Sequence, residues 1–290
     1  MKISEILSKD EITISCEMFP PKKGTQLQNY KETAARMAAI GPSWLSCTYG
    51  ATGGTSDYTV EIADTINACG VTALAHLTCA SSSKEKVREV IAQLQERGIE
   101  NILALRGDIP ENVDFPLPNQ FHHAIELIEE IKESGGDFCI GGACYPEGHP
   151  EAASIEEDLD HLKEKVDAGV SFLTTQLFYD NNIYYNFMYK VLKRRIDVPV
   201  VAGIMPITNA SQIKKAGSLS GSMVPPKFIR IVERFADDPK AMKQAGIAYA
   251  TEQIIDLIAN GVNHIHIYSM NKPDVAGAIM GNLSDIFIRE

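Results

Sequence analysis

The stretch Leu103-Ala104-Leu105-Arg106-Gly107-Asp108-Ile109-Pro110 decides how this chain is read. The apolar run from Ile102 to Leu105 has the length and composition of a buried strand. Arg-Gly-Asp followed by proline stops it, because proline has no N–H with which to continue a ladder. Gly107 lets backbone come close to a ligand, and Asp108 puts a carboxylate just past the strand's C-terminal end, where α/β folds carry their sites. Alone, the segment reads equally well as an ordinary turn whose aspartate caps the next helix. Its meaning comes from repetition, since similar strand ends recur along the chain.

Upstream, residues 12 to 19 form a β-rich run ending at Pro20-Pro21, and Leu27 to Ile40 has helical periodicity closed by Gly41. Trp44 to Tyr49 is a second strand that breaks into Gly50-Ala51-Thr52-Gly53-Gly54-Thr55, a loop with neither Walker nor G-x-G-x-x-G spacing. Val60 to Cys69 is a helix and Val71 to Thr78 a strand. Ser82-Ser83-Lys84-Glu85 and Ser154-Ile155-Glu156-Glu157 read as capping boxes ahead of amphipathic helices. Downstream, Phe138 to Cys144, Phe172 to Gln176, Val198 to Ile204 and Asn263 to Tyr268 are strands. Ile183 to Leu192 and Val275 to Phe287 are helices, and residues 209 to 260 hold two or three helical pieces. Eight strand–helix units at a spacing of ~30 residues, with no linker between them, predict an α/β fold: a (β/α)8 TIM barrel with extra helices. Residues 1–290 then form a single catalytic barrel domain. A doubly wound sheet is the alternative, weakened by the missing glycine fingerprint and by polar residues at nearly every strand end.

Composition narrows the function. The net charge of -11, with both signs interspersed and no basic block, argues against nucleic acid as a partner. No apolar run approaches the ~20 residues of a membrane span, and the acidic N-terminus is not a secretory signal, so a cytoplasmic protein is expected. The six cysteines, at 16, 47, 69, 79, 139 and 144, lack a C-x-x-C pair and read as small buried hydrophobes.

Closing the barrel would gather Glu17, Tyr49, His76, Thr78, Asp108, Tyr145, Gln176 and Tyr268 at one mouth. Each has a bland explanation, as a core aromatic or a hydrogen-bonded histidine, but eight polar ends on one rim are poorly explained by chance. Glu17, beside Met18, Phe19 and two prolines, is expected to be desolvated and to keep its proton near neutral pH. Asp108, next to Arg106 in a loop, is expected to stay ionised, which gives an acid and a fixed anion. A glycosidase could use such a pair, but a single tryptophan makes a sugar-stacking cleft a poor fit. His264 and His266 alternate on one strand face, while His122 and His123 are adjacent on a helix; without a third ligand, no metal is expected.

At these residues the sequence resembles the methylenetetrahydrofolate reductase family. The likeness runs through Glu17-Met18-Phe19-Pro20-Pro21, Thr48-Tyr49-Gly50-Ala51, His76-Leu77-Thr78-Cys79, Leu105-Arg106-Gly107-Asp108, Tyr145 to Glu151, Lys165 to Gly169 and Thr175-Gln176. It implies bound FAD and ping-pong reduction of 5,10-methylenetetrahydrofolate to 5-methyltetrahydrofolate, with NADH or NADPH as electron donor, and a homo-oligomer is expected. It assigns Glu17 as the general acid that opens the folate's methylene bridge to an iminium, which then accepts hydride. Asp108 is catalytic too, holding the pterin and favouring the cation, and Gln176 and Lys272 would bind the folate. FAD contacts are implied at Thr48, Tyr49, Ala51, His76, Arg106, Gly107, Asp108, Phe121, Tyr145, His149, Ala152, Asp158, His161 and Lys165, with Arg106 and Lys165 supplying positive charge to its diphosphate. Four positions depart from the better-known bacterial members: Ala210 stands for a phenylalanine over the flavin, Phe121 for a tyrosine, His161 for an asparagine and Lys272 for an arginine. The chain is expected to end with the barrel, without the regulatory domain of eukaryotic members. Ala210 and the short length also resemble flavin subunits that take electrons from a partner protein, which would carry any iron–sulfur cluster.

Overall fold

The computed structural model describes residues 1–20, 27–49, 58–80, 82–109, 115–213 and 222–287. The strands are β1 (Thr13–Met18), β2 (Leu45–Cys47), β3 (Ala73–Thr78), β4 (Asn101–Leu105), β5 (Cys139–Cys144), β6 (Phe172–Thr175), β7 (Val200–Ile204) and β8 (His264–Ile267). Each pairs in parallel with the next, and β8 returns to β1 in the register Thr13↔His264 and Ser15↔His266, closing the barrel. The predicted (β/α)8 architecture is therefore the observed one.

Ten helices are described: α1 (Ile3–Leu7), α2 (Leu27–Ala38), α3 (Thr59–Ala68), α4 (Lys84–Glu96), α5 (Ala124–Glu133), α6 (Ile155–Ala168), α7 (Asn181–Lys193), α8 (Pro226–Phe235), α9 (Pro239–Ala259) and α10 (Pro273–Asn282). Their apolar stripes, such as Val87, Val90, Ile91 and Leu94 of α4, cover the outward residues of the strands in one continuous core. α8 and α9 stand apart from the repeat. Phe228, Val232 and Met242 build a smaller core with Tyr179 and Ile207 beside the loops that follow β6 and β7. Gly246 of α9 lies so close to that second loop that a Cβ would sit 1.8 Å from the Ile207 oxygen, so only glycine lets helix and loop backbone meet.

The N-terminal end of the barrel is plugged. Ile3 and Leu7 of α1 pack on Trp44, Leu74, Leu103, Cys139, Phe172 and Val201, which come from the lower parts of β3 to β7 and the residue before β2. Asn101 locks the plug, accepting from Ile3 N at 2.8 Å and donating to Met1 O and Ala73 O. One turn of helix has no periodicity to read, and the sequence reading did not include it.

Several boundaries move. The cap of α4 is Ser83, which accepts from Lys86 N, one residue later than the box expected from Ser82 to Glu85 would put it. Ser154 does cap α6, but Glu157 reaches back to Ala153 N, one residue before the cap. His123 is the N-cap of α5 and His122 precedes it, so neither is inside a helix. The last helix stops at Asn282, well short of Phe287. Among the described residues no helix is long and apolar enough to cross a membrane.

Candidate active site

Alternate residues of β1 face two ways. Ile14, Cys16 and Met18 join the core beneath the helices, while Thr13, Ser15 and Glu17 meet His264, His266 and His76 across the barrel interior. Ser15 Oγ lies 2.7 Å from His266 Nδ1 and donates to Ile265 O at 3.2 Å. Above it Glu17 is only 6% exposed, and this burial pushes its carboxyl from an ordinary 4.5 to about 8. His76 Nε2 is 3.9 Å from Glu17 Oε2, too far for a hydrogen bond. Burial drives His76 down to about 3, and burial together with His76 does the same to His266. Between these limits acid and imidazoles are all neutral, so the contact is not an ion pair, and Glu17 holds a proton in a dry interior.

The end of β1 is tied to the loop after β8. Ser269 Oγ donates to Glu17 O at 2.7 Å, and the Asn271 amide clamps Phe19, accepting from its N at 2.8 Å and donating to its O at 2.9 Å. Tyr268 donates to Thr175 O at 2.6 Å, joining the ends of β8 and β6 across Gly203 of β7. Backbone bonds thus fix where the Glu17 side chain starts.

A second cluster lies at the ends of β4 and β5. Gly107 has φ +82°, and a Cβ there would be 2.8 Å from Thr78 Cβ, so the turn after β4 is folded against β3. Arg106 gives both terminal nitrogens to Glu151, at 2.5 and 2.7 Å, and Asp108 beside it is exposed. Tyr145 and His149 meet edge to face at 4.6 Å. Asp158 of α6 accepts from His149 N, Ala152 N donates to His149 O, and Lys165 of α6 donates to Ala143 O at 2.9 Å. Burial lowers the lysine's pKa, opposed by Cys144 and Asp158.

The other sequence-predicted residues fall as follows. Gln176 follows β6 and accepts from Leu177 N, and Lys272 donates to Thr208 Oγ1 at 2.9 Å. Thr48 Oγ1 is buried with no hydrogen-bond partner on the inward side of β2's end. Tyr49 points the other way, with its ring in the core under the helices and its hydroxyl 3.3 Å from Ser82 Oγ. Phe121 is buried under Lys84, His161 is exposed on α6, and Ala210 packs with the small core of α8 and α9. Ala51 lies outside the described residues. The Ser15–His266 pair, the Asn271 clamp and the Glu151 fork were not foreseen. Only the alternation of Ser15 with Glu17 on one strand face hinted at the first.

Chemically, the mouth offers a neutral carboxylic acid in a water-poor interior and, on the neighbouring rim, cations and small residues suited to an anionic ligand. A model described as methylenetetrahydrofolate reductase matches residues 2–284. The 5,10-methylenetetrahydrofolate reductase of Pectobacterium carotovorum is 36% identical over 94% of this chain and 90% of its own length, and that of Escherichia coli 34% over 94% and 91%. Methylenetetrahydrofolate reductase (NADH) 1 of Arabidopsis thaliana is 35% identical over 97% of this chain but only 50% of its own, so the chain spans about half the length of the plant relatives it matches. Among solved structures, a Clostridium thermocellum protein that binds two copies of 5-methyl-5,6,7,8-tetrahydrofolic acid superposes with a TM-score of 0.65 at 14% identity, covering 98% of both chains. A 2,3-dimethylmalate lyase gives 0.53 at 12%, covering 98% of this chain and 84% of its own; these two likenesses concern the fold alone. Matched from residue 2 to 284 and a third identical to bacterial members along nine-tenths of their length, the chain belongs to the methylenetetrahydrofolate reductase family.

Proposed function

We propose that this chain reduces 5,10-methylenetetrahydrofolate to 5-methyltetrahydrofolate using FAD, with Glu17 as the proton donor. The observation that carries the reading is the buried Glu17 carboxyl, pushed up to about 8 and without a cationic partner. Such a group gives up a proton at neutral pH only to a base that develops beside it, as the bridge nitrogen of the folate does when its C–N bond opens.

The residues present fit FAD. The partnerless Thr48 hydroxyl offers a hydrogen bond to a polar ligand atom, and the missing Cβ of Gly107 keeps the turn after β4 low. Arg106 and Lys165 supply the positive charge that a diphosphate requires. Bound FAD would supply the hydride. The chain itself would hold the proton on Glu17, whose strand end the β1–β8 clamp fixes, and Asp108, Gln176 and Lys272 would meet the pterin and its tail. The fixed charge of Asp108 favours the iminium cation over the neutral folate.

The test is anaerobic half-reaction kinetics on the purified chain. The protein is expected to be yellow, to bleach with NADH or NADPH and to regain colour when methylenetetrahydrofolate is added. Glu17→Gln should bleach normally yet fail to recover, and equal loss in both halves would remove the acid role. A second reading, electron delivery by a partner protein, is favoured by Ala210, which sits in the α8–α9 core and brings no ring to the mouth. Sustained turnover on nicotinamide alone would dismiss it.

A further inference from the structure

We propose that Glu151 is an internal occupant of the phosphate-binding fork: it holds the Arg106 guanidinium until the diphosphate of FAD displaces it, and so sets how tightly the cofactor binds. This rests on the FAD reading above. Arg106 Nη1 and Nη2 lie 2.5 and 2.7 Å from the two Glu151 oxygens, the bidentate geometry a guanidinium also offers to phosphate. A diphosphate in the same place would replace these bonds like for like.

The two partners are unequally buried. The Arg106 side chain is 21% exposed and that of Glu151 56%, so the carboxylate can swing into water at little desolvation cost while the guanidinium stays in the rim. Glu151 is held by its backbone, its N–H donating to His149 Nδ1 at 3.1 Å, so its side chain can leave without unravelling the loop. Apart from Lys165, the surroundings work against an anion. The first turn of α6 carries Glu156, Glu157 and Asp158, and Ser154 already accepts from Glu157 N. Lys165 is turned toward the Ala143 carbonyl and sits beside Asp158. Asp108 adds another carboxylate to the rim. With Glu151 in place, Arg106 is neutralised, and the site is less attractive to a dianion than the count of basic residues suggests.

The experiment titrates the flavin-free full chain with FAD and with riboflavin, which has the ring but no phosphate, following flavin fluorescence. Glu151→Gln is expected to tighten FAD about fivefold, the size of a partly exposed ion pair, and to leave riboflavin unchanged. In an Arg106→Gln background the gain should vanish. FAD affinity of Glu151→Gln should also fall more steeply with salt, because no internal anion is released on binding. The proposal is overturned if Glu151→Gln weakens FAD as Arg106→Gln does, which would make the carboxylate a brace for the loaded site, or if riboflavin tightens equally. Wild-type protein that binds neither flavin would refute the cofactor reading itself, and the displacement with it. Wild-type FAD binding with an unimproved Glu151→Gln refutes only the displacement.

Discussion

Replacing Glu17 by glutamine should make the protein more stable, not less. A carboxyl that titrates at about 8 when folded and at 4.5 when unfolded binds more protons in the folded state across that window. Stability therefore falls as pH rises from 4.5 to 8 and levels off above. Each tenfold change in proton affinity is worth 1.36 kcal/mol, so the wild type gives up roughly 5 kcal/mol over the whole window and about 3 kcal/mol of it by pH 7. Glutamine has the shape of the protonated acid and does not ionise. The variant should match the wild type near pH 4, exceed it by about 3 kcal/mol at pH 7, and gain nothing more beyond about pH 8.5. Urea unfolding of both proteins from pH 5 to 9 measures this, with the midpoints diverging steadily while the slopes stay equal. The competing idea is an ion pair with His76, suggested by the 3.9 Å approach. It demands the opposite sign, because glutamine would strand a buried imidazolium at a cost of about 3–5 kcal/mol. A variant less stable than wild type at pH 7 would refute the neutral-acid argument and the function built on it.

Other expectations follow from the same coordinates. Asn271→Gly keeps the left-handed backbone at φ 57° but deletes both bonds to Phe19; the apparent pKa of Glu17 in the folate half-reaction should fall by about a unit or more as water reaches the strand end, and an unchanged pH profile would deny the clamp this role. On the proposed reaction, Asp108→Asn should raise the flavin potential and slow folate reduction about tenfold, the worth of one nearby charge, and an unmoved potential in a spectroelectrochemical titration would contradict the electrostatic account. Gly246→Ala forces the Ile207 carbonyl aside; thermal unfolding should report a loss of about 3 kcal/mol, and a wild-type melting temperature would mean that helix and loop separate freely.

How much could be read beforehand depended on whether the signal was local. Strands such as Cys139–Cys144 and helices such as α4 advertise themselves through apolar period and flanking glycine, and eight repeats of that pattern leave few architectures open. Parallel closure then brings every strand's C-terminal end to one face, which is why Glu17, His76, Asp108, Tyr145, Gln176 and Tyr268 could be grouped without coordinates. Which way a side chain points was also legible in principle. Leu45, Cys47 and Tyr49 alternate with Ser46 and Thr48, so the outward turn of Tyr49 follows from period two, against the grouping of its hydroxyl with the polar strand ends. Pairings made by closure were not legible. Ser15 and His266 are 251 residues apart and Arg106 and Glu151 are 45 apart, and each depends on a register or loop path that no local pattern encodes.

The arrangement of the barrel interior explains why the acid sits on β1. Above the plug, β4 to β6 turn Leu103, Gly141 and Phe172 inward at the level where β3 carries His76, and β1 and β8 carry Ser15 and His266. A carboxyl resting on the apolar half would be dry but would have no polar neighbour to orient it. On a wet rim it would have partners in plenty and would ionise. The side of the barrel formed by β8, β1 and β3 avoids both outcomes, because His266 and His76 are buried deeply enough to stay uncharged and so lend polarity without lending a cation. Placing a protonatable amine at His76 should therefore damage the acid more than deleting the ring. His76→Lys would supply a positive charge that pulls the proton off Glu17 at neutral pH, whereas His76→Asn would leave it in place.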